Sequence, residues 1–262
     1  MTSAAQQTAG AGRMNLWRLE WLRLTRTPRA LALSALFLFF GLVEPVVTKY
    51  QSQIFSRLGN GVQITFPPVT PAAGIASYVS ELGGIGLIVV VVLAAGAFGF
   101  DAHRGLATFL RTRVASIWQL VTPRFAVNAA AAATAYLLGT LAAWYETDLL
   151  IGAPPVAGML AGMLCGAVYL AFAIAMTVLA ASLVRSTLAT VGVTLAVLLG
   201  LPIAGTFRPV DNWLPTTLAN APVDLLTGTH QLSNYLPTFG VTVAMSAAAL
   251  AIAALRLRTR EI

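Results

Sequence analysis

Six long apolar runs, each closed by a polar or proline-bearing break, set the pattern of the chain. They fall at about 30–47, 82–100, 125–144, 156–184, 187–206 and 236–255. A bilayer's hydrocarbon core is crossed by roughly 20 apolar residues in a helix. The pattern therefore predicts an all-α polytopic membrane protein with six transmembrane helices in one domain, 13–262, behind a Ser/Ala/Gln/Thr-rich tail at 1–12 expected to be disordered. The first run is not read as a signal peptide, because its apolar stretch is long and no small-x-small cleavage site follows.

Between the runs the breaks carry their own signals. Arg13–Arg29 holds five arginines with Trp17 and Trp21, and Met14, Trp17, Trp21 and Leu24 share one helical face. That mix suits an interfacial helix, with aromatics at headgroup level and arginines such as Arg23 toward anionic lipid. Thr27-Pro28 reads as an N-cap with proline at the first helical position. Thr48–Ser80 reads as a polar loop with turns at Gly59-Asn60-Gly61 and Pro67-Pro68. Gly158, Gly162 and Gly166, spaced four apart, form a ridge that lets helices approach closely. Arg185-Ser186 is the only break before the fifth run and predicts a tight turn between antiparallel neighbours. Leu214–Leu226 is open between a short re-entrant helix and a loop.

The longest basic interruption is Asp101–Arg124, with Arg104, Arg111, Arg113 and Arg124. Leu106, Phe109 and Leu110 recur at helical spacing, and Ser116 with Gln119 has the capping-box pattern for a new helix start. Such a segment is either a topogenic loop or a short helix that presses on a soluble partner.

Composition sharpens this. The chain of 262 residues is 58% hydrophobic and 10% charged, against about 25% charged in a soluble domain. With six crossings both termini share one side. Thirteen of the sixteen Lys and Arg residues lie there, leaving Lys49, Arg57 and Arg208 opposite. The positive-inside rule makes that side cytoplasmic, in the plasma membrane. The net charge of +7 is thus topology; the arginines flank apolar spans and do not form a nucleic-acid surface.

Chemistry is mostly excluded. The single lysine, Lys49, follows Thr48, so no Walker A motif exists. There is no G-x-S-x-G or HExxH, and two distant histidines make neither a triad nor a metal site. Cys165, the one cysteine, forms no internal disulfide. No catalytic residue and no metal ligand is expected, and any free energy for transport must come from another chain. Glu44 and Glu81, toward the outer ends of consecutive spans, are either interfacial carboxylates satisfied locally or a polar outer mouth on a path. In either role they are expected to approach each other or to share Lys49 or Arg57.

The order of elements resembles the membrane subunit of a type-2 ATP-binding-cassette (ABC) exporter over essentially the whole chain. The local likeness is carried by Asp101-x-x-Arg104-Gly105-Leu106-x-x-Phe109-Leu110-x-Thr112-Arg113-x-x-Ser116. In that family this segment contains the coupling helix that docks on the ATPase. The resemblance implies coupling roles for Arg104, Gly105, Leu106, Phe109, Leu110, Arg111 and Arg113. It also implies a separate ATPase subunit holding ATP and Mg, and a second permease copy or homologue. Asp101 and His103 stand where family members often have several glutamates, so no particular salt-bridge pattern with the ATPase is carried over. The apolar walls suggest a lipophilic or amphipathic cargo such as an antibiotic. The rivals are an ATP-independent carrier or channel, disfavoured by spans without midplane charge, and an anchor that recruits a soluble enzyme.

Overall fold

A computed structural model of the protein describes residues 16–58, 68–99, 116–206 and 213–259. The segment 101–115, with every coupling residue named above from Arg104 to Arg113, lies outside the described residues, as do 1–15. Among the described residues the secondary structure is helical throughout. Helix α1 is Leu16–Arg26, α2 is Arg29–Leu58 and α3 is Pro71–Glu81. A π-helical turn, Leu82–Gly86, joins α3 to α4, Leu87–Ala97. Then come α5, Trp118–Leu150; α6, Val156–Leu183; and α7, Thr187–Ala204. A short helix, α8, Thr217–Thr227, precedes α9, Leu232–Thr259.

Six of these elements are long and apolar enough to cross a membrane: α2, α3 through α4, α5, α6, α7 and α9. The chain is an all-α, multi-pass membrane protein. Two bounds move from their expected places. The polar stretch after Val47 continues α2 as helix to Leu58, and α3 starts at Pro71, so most of 48–80 is not loop. The reason is local: Thr70 caps α3 by accepting from the Ala73 amide, with Pro71 at the first helical position. Thr48, on the extended part of α2, bonds the Ser77 hydroxyl of α3. Likewise α5 starts seven residues before Phe125. It does begin beside Ser116, but through the Ser116 carbonyl accepting from the Gln119 amide, with no side-chain cap.

A second correction concerns Thr27. Its hydroxyl donates back to the Arg23 carbonyl, 2.9 Å away, and so closes α1 instead of capping α2. Trp17 and Trp21, expected to share a face of α1, are both outward, 51% and 55% exposed, and Glu20, one turn from Trp17, is buried.

Helix α6 is the central pillar and packs against α4, α5, α7, α8 and α9. The glycines of its N-terminal half decide what sits beside it. Gly158 faces the Leu225 carbonyl and Gly162 lies directly against the Pro222 backbone, so both receive α8. Gly166 receives the Tyr136 ring of α5. The small-residue ridge is thus consumed within one chain. The same device joins α2 to α5, where Gly41 and Gly139 bring the two backbones into contact. The stretch 214–226 is helix from Thr217 onward, with Leu218, Ala221 and Pro222 buried. Its C-terminus closes on Gly228, in the left-handed region at φ 71°. Asp224 then accepts from the Tyr235 hydroxyl at 2.8 Å and pins the start of α9.

Candidate functional site

Two ends of the bundle differ in chemistry. At the arginine-rich end lie α1, the start of α5 and the α6–α7 turn, where the Ser186 hydroxyl caps α7 by accepting from the Ala189 amide. Here Arg124 Nε donates to Glu20 Oε1 at 2.8 Å, and both side chains are only 6% exposed. Arg23 stands at 3.9 Å from the same carboxylate and is largely exposed. Sequence reasoning counted Arg124 as one more topogenic arginine and gave Glu20 no role. The pair ties α1 to the second turn of α5, eleven positions after Arg113 in the chain. The available signal was weak: Glu20 is the only acid among the five arginines of 13–29.

At the opposite end the acidic residues gather. Glu44 sits half-buried in mid-α2, not near a helix end, because α2 runs on for fourteen residues beyond it. Glu81, also half-buried, is the last residue of α3. The two carboxylates lie within electrostatic reach of one another. Neither makes an ion pair with Lys49 or Arg57 among the described residues.

A small crevice of about 30 Å³ lies between α2, α3, the π turn, α5, α6 and α8. Phe37, Leu82 and Leu170 supply apolar walls, and Tyr136 and Tyr169 the aromatic ones. Beneath its floor, Thr140 and Tyr78 form a hydrogen-bonded knot on the Tyr136 carbonyl. The sequence marked none of these tyrosines, since an aromatic within an apolar run carries no signal of its own.

Comparison with known proteins adds one relative. Over 140 residues the chain is 20% identical to the uncharacterized transmembrane protein YxlG of Bacillus subtilis (strain 168). The aligned part is 52% of this chain and spans about half, 54%, of that protein. No protein-family model matches the chain. The likeness agrees with a multi-pass membrane protein.

Among the described residues no group of three His, Cys, Asp or Glu side chains could hold a metal ion. The arrangement offers apolar walls, tyrosine hydroxyls and two carboxylates at one end, and a buried ionic clasp at the other.

Proposed function

We propose that this chain is the permease subunit of an ABC exporter in the plasma membrane, with both termini in the cytoplasm. Two copies, or one copy and a homologue, form the path. A separate ATPase holds ATP and Mg, and a lipophilic or amphipathic small molecule, such as an antibiotic, is the cargo. The observation that carries this reading is the Glu20–Arg124 clasp. It ties α1 to the start of α5, the helix that follows the basic segment 101–113 along the chain, so a partner pushing on that segment would act through a braced helix.

Free energy then arrives by contact. Leu106, Phe109 and Leu110 insert into a groove of the ATPase, while Arg104, Arg111 and Arg113 meet acidic groups or lipid phosphates at its rim, and Gly105 gives the segment room to turn. Buried apolar anchors dominate interface energies, whereas rim charges contribute little. Phe109→Ala is expected to cost about 1–3 kcal/mol of association, and Arg111→Ala less. Pull-down of a separate Walker A protein and substrate-stimulated ATPase activity of the reconstituted complex measure both. Wild-type values for Phe109→Ala would reduce the segment to a topogenic loop.

Orientation has its own check. In a Cys165→Ala background, Ser52→Cys is expected to react with an impermeant thiol reagent on intact cells and Ser116→Cys only after lysis. The reverse pattern inverts the map.

A further inference from the structure

Two arginines stand where apolar runs begin on the arginine-rich side, and the chain supplies a counter-charge for one of them. Arg124, just before the apolar part of α5, is buried against Glu20. Arg29 opens α2, directly before its apolar run, and is half-buried. Among the described residues Glu20 is the only acid at this end, and Arg124 occupies it. Arg29 makes no hydrogen bond or ion pair among the described residues. The anion that balances it must come from outside the chain.

The surroundings of Arg29 are shaped. Its guanidinium lies over Gly96 in the last turn of α4, with Nη2 3.6 Å from where a Cβ on Gly96 would stand. Arg29 and Asn128 of α5 line one crevice, whose other walls are apolar and include Leu24 of α1, Leu33 of α2 and Leu93 of α4. The Asn128 amide gives one hydrogen to the Arg124 carbonyl at 2.8 Å and keeps a second to donate. The crevice is small, about 20 Å³, with room for one water-sized group and not for a ligand's body. What fits is a single oxygen of a group that itself stays outside, in the leaflet. At the edge of a bilayer the anion that recurs is the phospholipid phosphate, which a guanidinium meets with paired hydrogen bonds. Basic pockets between spanning helices bind lipid headgroups in this way.

We infer that the crevice beside the α1–α2 elbow is a binding site for an anionic phospholipid of the leaflet on the arginine-rich side. One phosphate oxygen accepts from Arg29 and Asn128. The glycerol and chains stay in the bilayer beside α2 and α4, which touch each other only lightly. Arg26, exposed at the end of α1 and three residues before Arg29, adds positive charge at the elbow. The site goes beyond the export reading and does not depend on it.

The test is native mass spectrometry of the purified full chain in detergent, titrated with phosphatidylglycerol or with phosphatidylcholine. Saturable binding of phosphatidylglycerol is expected, tighter than that of phosphatidylcholine. Arg29→Gln should weaken it about fivefold, the worth of one basic group beside an anionic lipid. Arg29→Lys, which keeps the charge, should lose less than Arg29→Gln does and separates charge from folding. Gly96→Leu keeps every charge but sets a side chain against the guanidinium, and it should weaken binding as well. Arg185→Gln, at the exposed α6–α7 turn on the same side, should leave binding unchanged. If Arg185→Gln weakens binding as much as Arg29→Gln does, the attraction is diffuse and the assignment is overturned. Displacement of the lipid by excess inorganic phosphate would mark a site for the free anion and overturn it too. Equal affinity for the two lipids, or uptake that does not saturate, has the same consequence. None of these outcomes touches ATPase coupling through 104–113.

Discussion

Glu20→Ala is expected to be the most damaging single substitution of a charged residue, costing up to about 3–5 kcal/mol, because it removes the carboxylate 2.8 Å from the Arg124 guanidinium in a site with 6% exposure. Exposed ion pairs contribute about 0–1 kcal/mol. The difference is desolvation: a buried cation that loses its carboxylate keeps the cost of leaving water and loses the attraction that offset it. Arg23, at 3.9 Å from Glu20 and largely exposed, belongs to the weak class. Arg23→Ala is expected to change stability by less than about 1 kcal/mol. The damage should be local first. Hydrogen exchange across Leu16–Arg26 should accelerate before the spans respond, since α1 is packed on α5 and only lightly on α2. Replacing both partners, Glu20→Leu with Arg124→Met, should recover most of the loss, because an apolar pair fills the site without a charge to bury. With the parent protein and the single variants Glu20→Leu and Arg124→Met, the double variant closes a double-mutant cycle whose coupling energy isolates the pair. If Glu20→Ala shifts the thermal midpoint no more than Arg23→Ala does, the clasp contributes nothing, and the bracing role assigned to it fails with it.

Parts of this architecture are legible in sequence for physical reasons, and the remainder is hidden for equally physical ones. Helix α6 ends within a residue of its expected bounds, since Pro155 and Arg185 bracket a run with no charged, amide or imidazole side chain. The ends of α2 and α5 are not visible that way. Hydropathy detects where a helix enters lipid, not where it stops being a helix. Lys49, Gln51 and Gln53 are good helix formers that hydropathy scores as loop. Thr27 misled because a threonine before proline can close one helix as well as cap the next; its Cα position does not say which way the hydroxyl turns. The Glu20–Arg124 pair is invisible for another reason. Periodicity tells which face of a helix is apolar, but nothing in it names a partner 104 residues away. The acidic rim lay between: Glu44 and Glu81 stood out as carboxylates in apolar surroundings, while the tyrosine-walled cleft beside them did not.

Gly162→Val is expected to be the most damaging of the glycine substitutions on α6. A Cβ at this position would collide with the Cα and backbone nitrogen of Pro222, atoms that cannot rotate away. Helix α8 must then lift off α6, and with it Leu218 and Ala221, both 0% exposed, lose their cover. Overpacking of this kind costs about 1–3 kcal/mol and rises where backbone has to move. Gly158→Ala should be milder, because the Leu225 carbonyl stands 3.3 Å from its Cβ and a small shift relieves it. Gly200→Val on α7 supplies the control: it has nothing within 4 Å and should stay within about 0.5 kcal/mol of the parent protein. Thermal midpoints of the three variants in one detergent rank the costs, and hydrogen exchange over Thr217–Thr227 shows whether α8 is the element released. Equal midpoints for Gly162→Val and Gly200→Val would mean that α8 does not pack against Gly162, and that the glycine ridge of α6 is free to face another chain.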